Sequence, residues 1–233
     1  MEEMNNISAS EEAITMADRI YLQLREDIVS GVIPHGQKIV EASLAKQYKT
    51  SRGPLREALQ RLEGVHIIER IPNAGSRVAT IDLAKMEELY QVREGIEGFA
   101  TRLATMAMSQ EEIDGLYQLM ANHEVLVEQT GGITYIQKEG NDDFHFYIFS
   151  KCQNQWLVNC ITNNLYHLVR MCRLHTMKLT TTRAQLGLGE HIAIVEAIDN
   201  RDPELSEMLM RRHIRSAWKV VSELMTNSLS ENS

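Results

Sequence analysis

At Gly64 the hydrophobic pattern changes period, and that change dictates the architecture of the first third of the chain. Upstream, apolar residues recur at helical spacing. Downstream, Ile67-Ile68-Glu69-Arg70-Ile71 is short and β-branched, Pro72-Asn73-Ala74-Gly75 is a turn, and Ser76-Arg77-Val78-Ala79 resumes. A helical period that gives way to two short runs around a turn predicts helices followed by a hairpin. The first helix is expected from Ala17 to Ser30, with Ile20, Leu22, Leu24, Ile28 and Val29 apolar, and it stops at Gly31. After the Pro34-His35-Gly36 turn, a short helix is expected from Glu41 to Tyr48. Ser51 then serves as N-cap for a third helix, Arg52 to Glu63, whose stripe is Leu55, Ala58, Leu59 and Leu62. Three helices, the last two joined by a tight turn, then a hairpin: this is the order of a winged helix-turn-helix. It is expected over residues 15–80, with residues 1–14 as a loose tail.

Everything beyond Thr80 reads as helical. Asp82 to Met108 is one long amphipathic segment, and Ser109-Gln110-Glu111-Glu112 is a capping box that opens another. Thr130-Gly131-Gly132 breaks the chain. Further helices are expected over Ile133 to Ser150, Gln155 to Met177, Arg183 to Asn200 and Pro203 to Leu224, the last with Asp202 as N-cap. The fold class is therefore mainly α: an N-terminal winged helix-turn-helix with a small β-hairpin wing, then an antiparallel bundle of six or seven helices over residues 81–228.

Charge distribution points the first part toward nucleic acid. The whole chain carries a formal −8. Residues 15–80 hold ten Lys/Arg against seven acids, or +3, which leaves −11 for the remainder. Such asymmetry is what a nucleic-acid reader attached to a different module would show. No apolar run is long enough to predict a membrane span, and the N-terminus lacks the basic and apolar regions of a secretory signal. Three cysteines without a CxxC pair suggest a reducing cytosol, so a cytoplasmic location is expected.

Within residues 15–80, Ser51, Arg52 and Arg56 cluster in the first turns of the third helix, where a recognition helix enters the major groove. Arginine pairs bidentately with guanine O6 and N7, and a helix N-terminus with a serine hydroxyl suits a phosphate. Lys49 and the wing residue Arg77 are placed to add backbone contacts. Glu57 is expected to pair with Arg61 one turn on.

The segment Ser51-Arg52-Gly53-Pro54-Leu55-Arg56-Glu57-Ala58-Leu59 resembles the SR-x-PVREAL signature of GntR-type regulators, in the FadR subfamily with its FCD ligand domain. Leu24 through Gly36 resembles the same family's I-x-x-G-x-x-x-PG segment, with His35 between the proline and the glycine. The resemblance runs through nearly the whole chain. It implies Arg52 and Arg56 as main DNA contacts, with Ser51 and Gly53 close to the backbone. Ala42 stands where some members carry a DNA-touching arginine, so the operator does not follow by analogy.

Histidines mark the second module. His145, His191 and His213 fall on inward-facing positions of three expected helices, a set able to hold Zn²⁺ or a similar divalent ion with positions left open. The resemblance implies a metal held by an Asp or Asn four residues before a His, plus two later His, and Asn141, His145, His191 and His213 fall on those positions. Asp142, three residues before His145, is the alternative oxygen ligand. Zinc is the expected ion, with nickel and manganese as alternatives. Because amide oxygen and imidazole are neutral, an anionic effector such as a carboxylate is expected to complete the shell. Arg93 matches an arginine that faces the effector cavity in relatives; its other reading is a buried pair with Glu97, one turn on. His167 and His175, eight residues apart, are candidate effector contacts. His66 and His123 read as surface residues, and Trp156 and Trp218 as core or interface.

Three functions compete on these features. The first is a ligand-responsive regulator, not an enzyme, that binds a palindromic double-stranded operator as a homodimer. The second is a small metal-dependent hydrolase, disfavoured because no carboxylate stands out as a general base. The third is an architectural DNA binder whose bundle only dimerises.

Overall fold

The computed structural model describes residues 14–80, 82–131, 140–176 and 184–231. Helix α1 (Met16–Val29) starts at a capping box in which Thr15 and Asp18 satisfy each other's backbone N–H groups. Helices α2 (Glu41–Gln47) and α3 (Arg52–Gly64) follow, then strands β1 (Ile68–Ile71) and β2 (Gly75–Val78). The strands pair antiparallel from Ile68↔Val78 to Ile71↔Gly75. Their turn uses Asn73 and Gly75 in the left-handed region, at φ 62° and 87°. A bridge between Lys38 and Arg77 ties the segment before α2 to the wing. Leu24, Ile28, Leu55, Leu62, Ile68 and Val78 form one continuous core beneath these elements. The alternation and capping read from the sequence place every one of them within two residues.

The bundle contains seven α-helices among the described residues: α4 (Leu83–Ala107), α5 (Gln110–Gln129), α6 (Phe144–Ser150), α7 (Gln155–Cys160), α8 (Tyr166–Thr176), α9 (Ala184–Asp199) and α10 (Pro203–Glu231). Side chains cap the N-termini: Asp82 for α4, Ser109 with Glu112 for α5, Asp143 for α6 and Asn154 for α7. Asp202 accepts from Leu205 N at 2.9 Å at the start of α10. The long helices α4 and α10 pack along each other, and α9 fills the space between α10 and α5. Gly98 lets α10 approach closely, since a Cβ there would stand 2.7 Å from Arg211 Cγ. A second core, with Met86, Ala100, Ile113, Leu116, Phe144, Ile194 and Ile214, lies inside.

Two expected helices differ. Of the helix predicted over Ile133 to Ser150, residues 132–139 lie outside the described residues; in the described part Gly140–Asp142 is a 3₁₀ turn and the α-helix spans Phe144–Ser150. The helix predicted over Gln155 to Met177 is interrupted by a π-helical turn at Ile161–Leu165. That turn rotates α8 so that it serves both cores. Cys172 packs into the bundle, whereas Met171 is buried in the core of the helix-turn-helix. The buried Arg170 forks onto Glu26 of α1, with Nη1 and Nη2 donating at 3.0 and 3.2 Å. No helix among the described residues is long and apolar enough to cross a membrane.

Candidate functional site

The first candidate surface is the N-terminal end of α3. Ser51 caps the helix in extended conformation (φ −85°, ψ 169°), but its hydroxyl makes no cap hydrogen bond and is left exposed. Arg52, Gly53 and Arg56 are exposed beside it, and Lys49 is exposed in the tight turn before it, at φ 50°. Pro54 sits in the first turn, where its missing N–H costs nothing. Beyond its chain neighbours, a Cβ on Gly53 would meet nothing within 4 Å. Arg56 Nε donates to Glu41 Oε2 of α2 at 2.8 Å. Arg77 pairs with its cross-strand neighbour Glu69 at 2.6 Å, so the wing arginine is held rather than loose. Arg61 does not pair with Glu57. It reaches across to Asp18 at 2.7 Å and lies over the Tyr21 ring, because α1 packs on that face of α3.

The second candidate site is inside the bundle. His145 on α6, His191 on α9 and His213 on α10 are all buried, and they offer ligand nitrogens that all lie within 4.8 Å of one another. His191 Nε2 and His213 Nε2 face each other at 3.1 Å. Phe144 stacks on His191, centroids 3.9 Å apart, and walls one side. Burial pushes the His191 imidazole well below its ordinary range, and His213 and His145 beside it push the same way, which keeps it neutral.

Carboxylates stand behind two of the three rings. His213 Nδ1 is 2.7 Å from Glu190 Oε2, and His145 Nδ1 is 2.8 Å from Glu97 Oε2, although the latter contact is not aligned as a hydrogen bond. Glu97 in turn accepts from Arg93 Nε at 2.6 Å, and Arg93 and Glu97 are each only 3% exposed. Burial alone would raise the Glu97 carboxyl, but Arg93 and His145 hold it well below the usual carboxylate range. Three convergent imidazoles, two of them backed by carboxylates, are the donor set that a borderline divalent cation accepts.

The neighbouring residues fall out unevenly. Asn141, expected on the same helix face as His145, is exposed on the 3₁₀ turn, as is Asp142. The reason lies one residue on: Asp143 is fully buried and caps α6 by accepting from His145 N and Phe146 N, so no helical turn links Asn141 to His145. Asp143 also pairs with Arg173 of α8. His123 is not at the surface. It is 2% exposed on α5, and its Nε2 lies 2.9 Å from the Asp142 carbonyl. A signal for it was present, because Ile113, Leu116, Met120, His123 and Val127 form one stripe at helical spacing. His66 is exposed as read. Trp218 packs on Tyr90, but Trp156 is 89% exposed rather than in a core. His167 lies at the contact between α8 and α1: burial pushes it down to about 3, reinforced by Arg25 and Arg170 nearby. The His175 side chain lies outside the described residues.

Comparison with known proteins follows the same division. Residues 16–78 match the family described as bacterial regulatory proteins, gntR family, and residues 88–216 match the FCD domain. Among curated relatives, the transcriptional repressor RspR of Escherichia coli is 26% identical over 217 residues, covering 92% of this chain and 91% of its own. The regulator YdhC of Bacillus subtilis is 26% identical over 196 residues, covering 84% and 86%. Among solved structures, E. coli McbR/YncC aligns with a TM-score of 0.73 at 16% identity, over 91% of this chain and 99% of that one. A GntR-type regulator from Rhodococcus aligns at 0.68 and 18% identity, over 88% and 96%. Relatives of this kind regulate transcription and are not enzymes, which removes the hydrolase reading. The winged reader, the helical bundle and the two matches together make this chain a member of the GntR family of transcriptional regulators, with a helix-turn-helix DNA-binding domain and an FCD domain.

Proposed function

We propose that the chain is a repressor that binds a palindromic operator as a homodimer and responds to a small carboxylate at a divalent-metal site in its bundle. The observation that carries the sensing half is the cluster of three buried imidazoles with Glu97 and Glu190 behind two of them. His145, His191 and His213 would hold the ion; the all-nitrogen set favours zinc or nickel over manganese, and zinc is the ion proposed. Asn141 and Asp142, exposed on their turn, are left out of that set. The bound ion would supply a Lewis-acidic docking point for an anion.

Electrostatics supports the anion, for a different reason than the sequence suggested. The cluster is not surrounded by neutral groups alone. The dication, the carboxylates of Glu97 and Glu190 and the Arg93 guanidinium leave one uncancelled positive charge, which a monocarboxylate would neutralise. Arg93, buried beside Glu97, donates to that carboxylate and orients it. On the DNA side, Arg52 and Arg56 read bases, Ser51 and Gly53 approach the phosphate backbone, and Lys49 and Arg77 add backbone charge.

Helix α8 supplies a physical route between the two. Arg173 pairs with Asp143, the cap of the helix that carries His145, while Arg170 grips Glu26 in α1 and Met171 enters the reader's core. An effector shifts operator affinity only by its differential affinity for the two arrangements, typically ~5- to 150-fold. The test titrates mono- and dicarboxylates against zinc-loaded protein bound to its operator. At least one acid should shift operator affinity several-fold in wild type and leave His213→Ala unmoved. Indifference of the wild type to every acid would overturn the sensing assignment.

A further inference from the structure

The free protein already engages one of its two base-reading arginines. Arg56 Nε donates to Glu41 Oε2 at 2.8 Å, joining α3 to the first residue of α2. Among the described residues Arg52, one turn earlier on the same helix, has no ion-pair partner. A guanidinium whose Nε is taken by a carboxylate has its plane fixed, and its Nη1 and Nη2 are turned outward as a pair. Those two parallel N–H groups match guanine O6 and N7. We infer that Glu41 is a positioning residue that locks Arg56 for guanine, making Arg56 the discriminating arginine and Arg52 the adaptable one. This rests on the reading of α3 as the base-contacting helix.

The pair also works against wrong DNA. On an arbitrary sequence a lone arginine would swing to the nearest phosphate and gain sequence-independent affinity. Here that swing leaves the Glu41 carboxylate unpaired beside a polyanion. The two side chains are 61% and 39% exposed, so their pairing adds little to the stability of the free protein and its effect falls on DNA choice. Glu41 also lies in the first turn of α2, where an acid favours the helix dipole, so a stability readout is needed to separate the two roles.

The experiment selects a binding site from a random DNA pool with the full chain. It then measures competition by single-base-pair variants of that site for wild type, Glu41→Gln, Arg56→Ala and the double variant, with a melting curve for each. At the base pair whose preference vanishes in Arg56→Ala, Glu41→Gln should lose discrimination by about 5- to 100-fold. It should bind random DNA as well as wild type or a few-fold better, melt as wild type, and add nothing in the Arg56→Ala background. If Arg56→Ala loses that preference and Glu41→Gln keeps it, Arg56 reads DNA without help and the inference is wrong. If Glu41→Gln weakens all DNA equally and melts lower, Glu41 acts through the fold alone, which also overturns it. If Arg56→Ala itself keeps every preference, the assignment of α3 contacts fails and takes the inference with it.

Discussion

Gly53 shows how a single residue can separate stability from function. It sits inside helix α3, where glycine costs about 0.5–1 kcal/mol relative to alanine. No left-handed φ requires it, but the next residue is Pro54, whose ring crowds a Cβ on a helical predecessor, so part of the reason for glycine is local. The proposed approach of a DNA strand adds a second. Gly53→Ala should therefore weaken operator binding while changing the unfolding free energy by less than about 1 kcal/mol. Paired denaturation and DNA-binding curves check both halves, and a variant with full affinity would show that nothing approaches there. Residues also show the limits of reading from sequence. His123 reads as a surface residue, yet it sits on an apolar stripe at helical spacing that faces the core. Identity alone argued the other way for His123, and the pattern was the better guide. Asn141 does not share a helix face with His145, because i,i+4 spacing holds only within a helix and Asp143 caps α6 just before Phe144.

At the scale of elements, the helix-turn-helix and wing were legible because their signals are local: caps, stripes, a turn and a β-branched pair. Capping of α5 and α10 was legible for the same reason. The π-helical turn before α8 was not, because what it satisfies is a tertiary demand, one helix facing two cores. That double duty makes the contact between α8 and α1 sensitive to acid. His167 is buried there with Arg25, Arg170 and Glu26 facing it, and it is held neutral with its ionisation pushed down to about 3. A base that is depressed in the folded state contributes nothing unfavourable above the unfolded value of about 6.5. As pH falls below 6.5 the unfolded chain takes up the proton first, and stability declines toward the folded value. This single group should cost about 2 kcal/mol between pH 7 and pH 5, and His167→Asn should remove that share of the slope. Denaturant midpoints across the range, wild type beside variant, measure it. Identical slopes would mean that His167 is already solvated at the interface.

For the molecule as a whole, the architecture is a DNA-binding domain joined by α8 to a helical bundle with three clustered, buried histidines. The division of charge anticipated the two roles, since the reader is basic and the rest strongly acidic. Ligand nitrogens from three helices far apart in sequence meet within 4.8 Å, which spacing could suggest but not locate, because the meeting depends on how α6, α9 and α10 pack. The carboxylates behind two of those rings were wholly hidden from the sequence. The proposed sensing function requires that this histidine cluster hold an ion. The direct measurement is elemental analysis of the purified chain, without chelators or a histidine tag, beside His145→Ala/His191→Ala. About one divalent ion per chain is expected in wild type and none in the double variant, with the variant still folded. A wild type without metal, or a double variant that retains it, would contradict the metal centre.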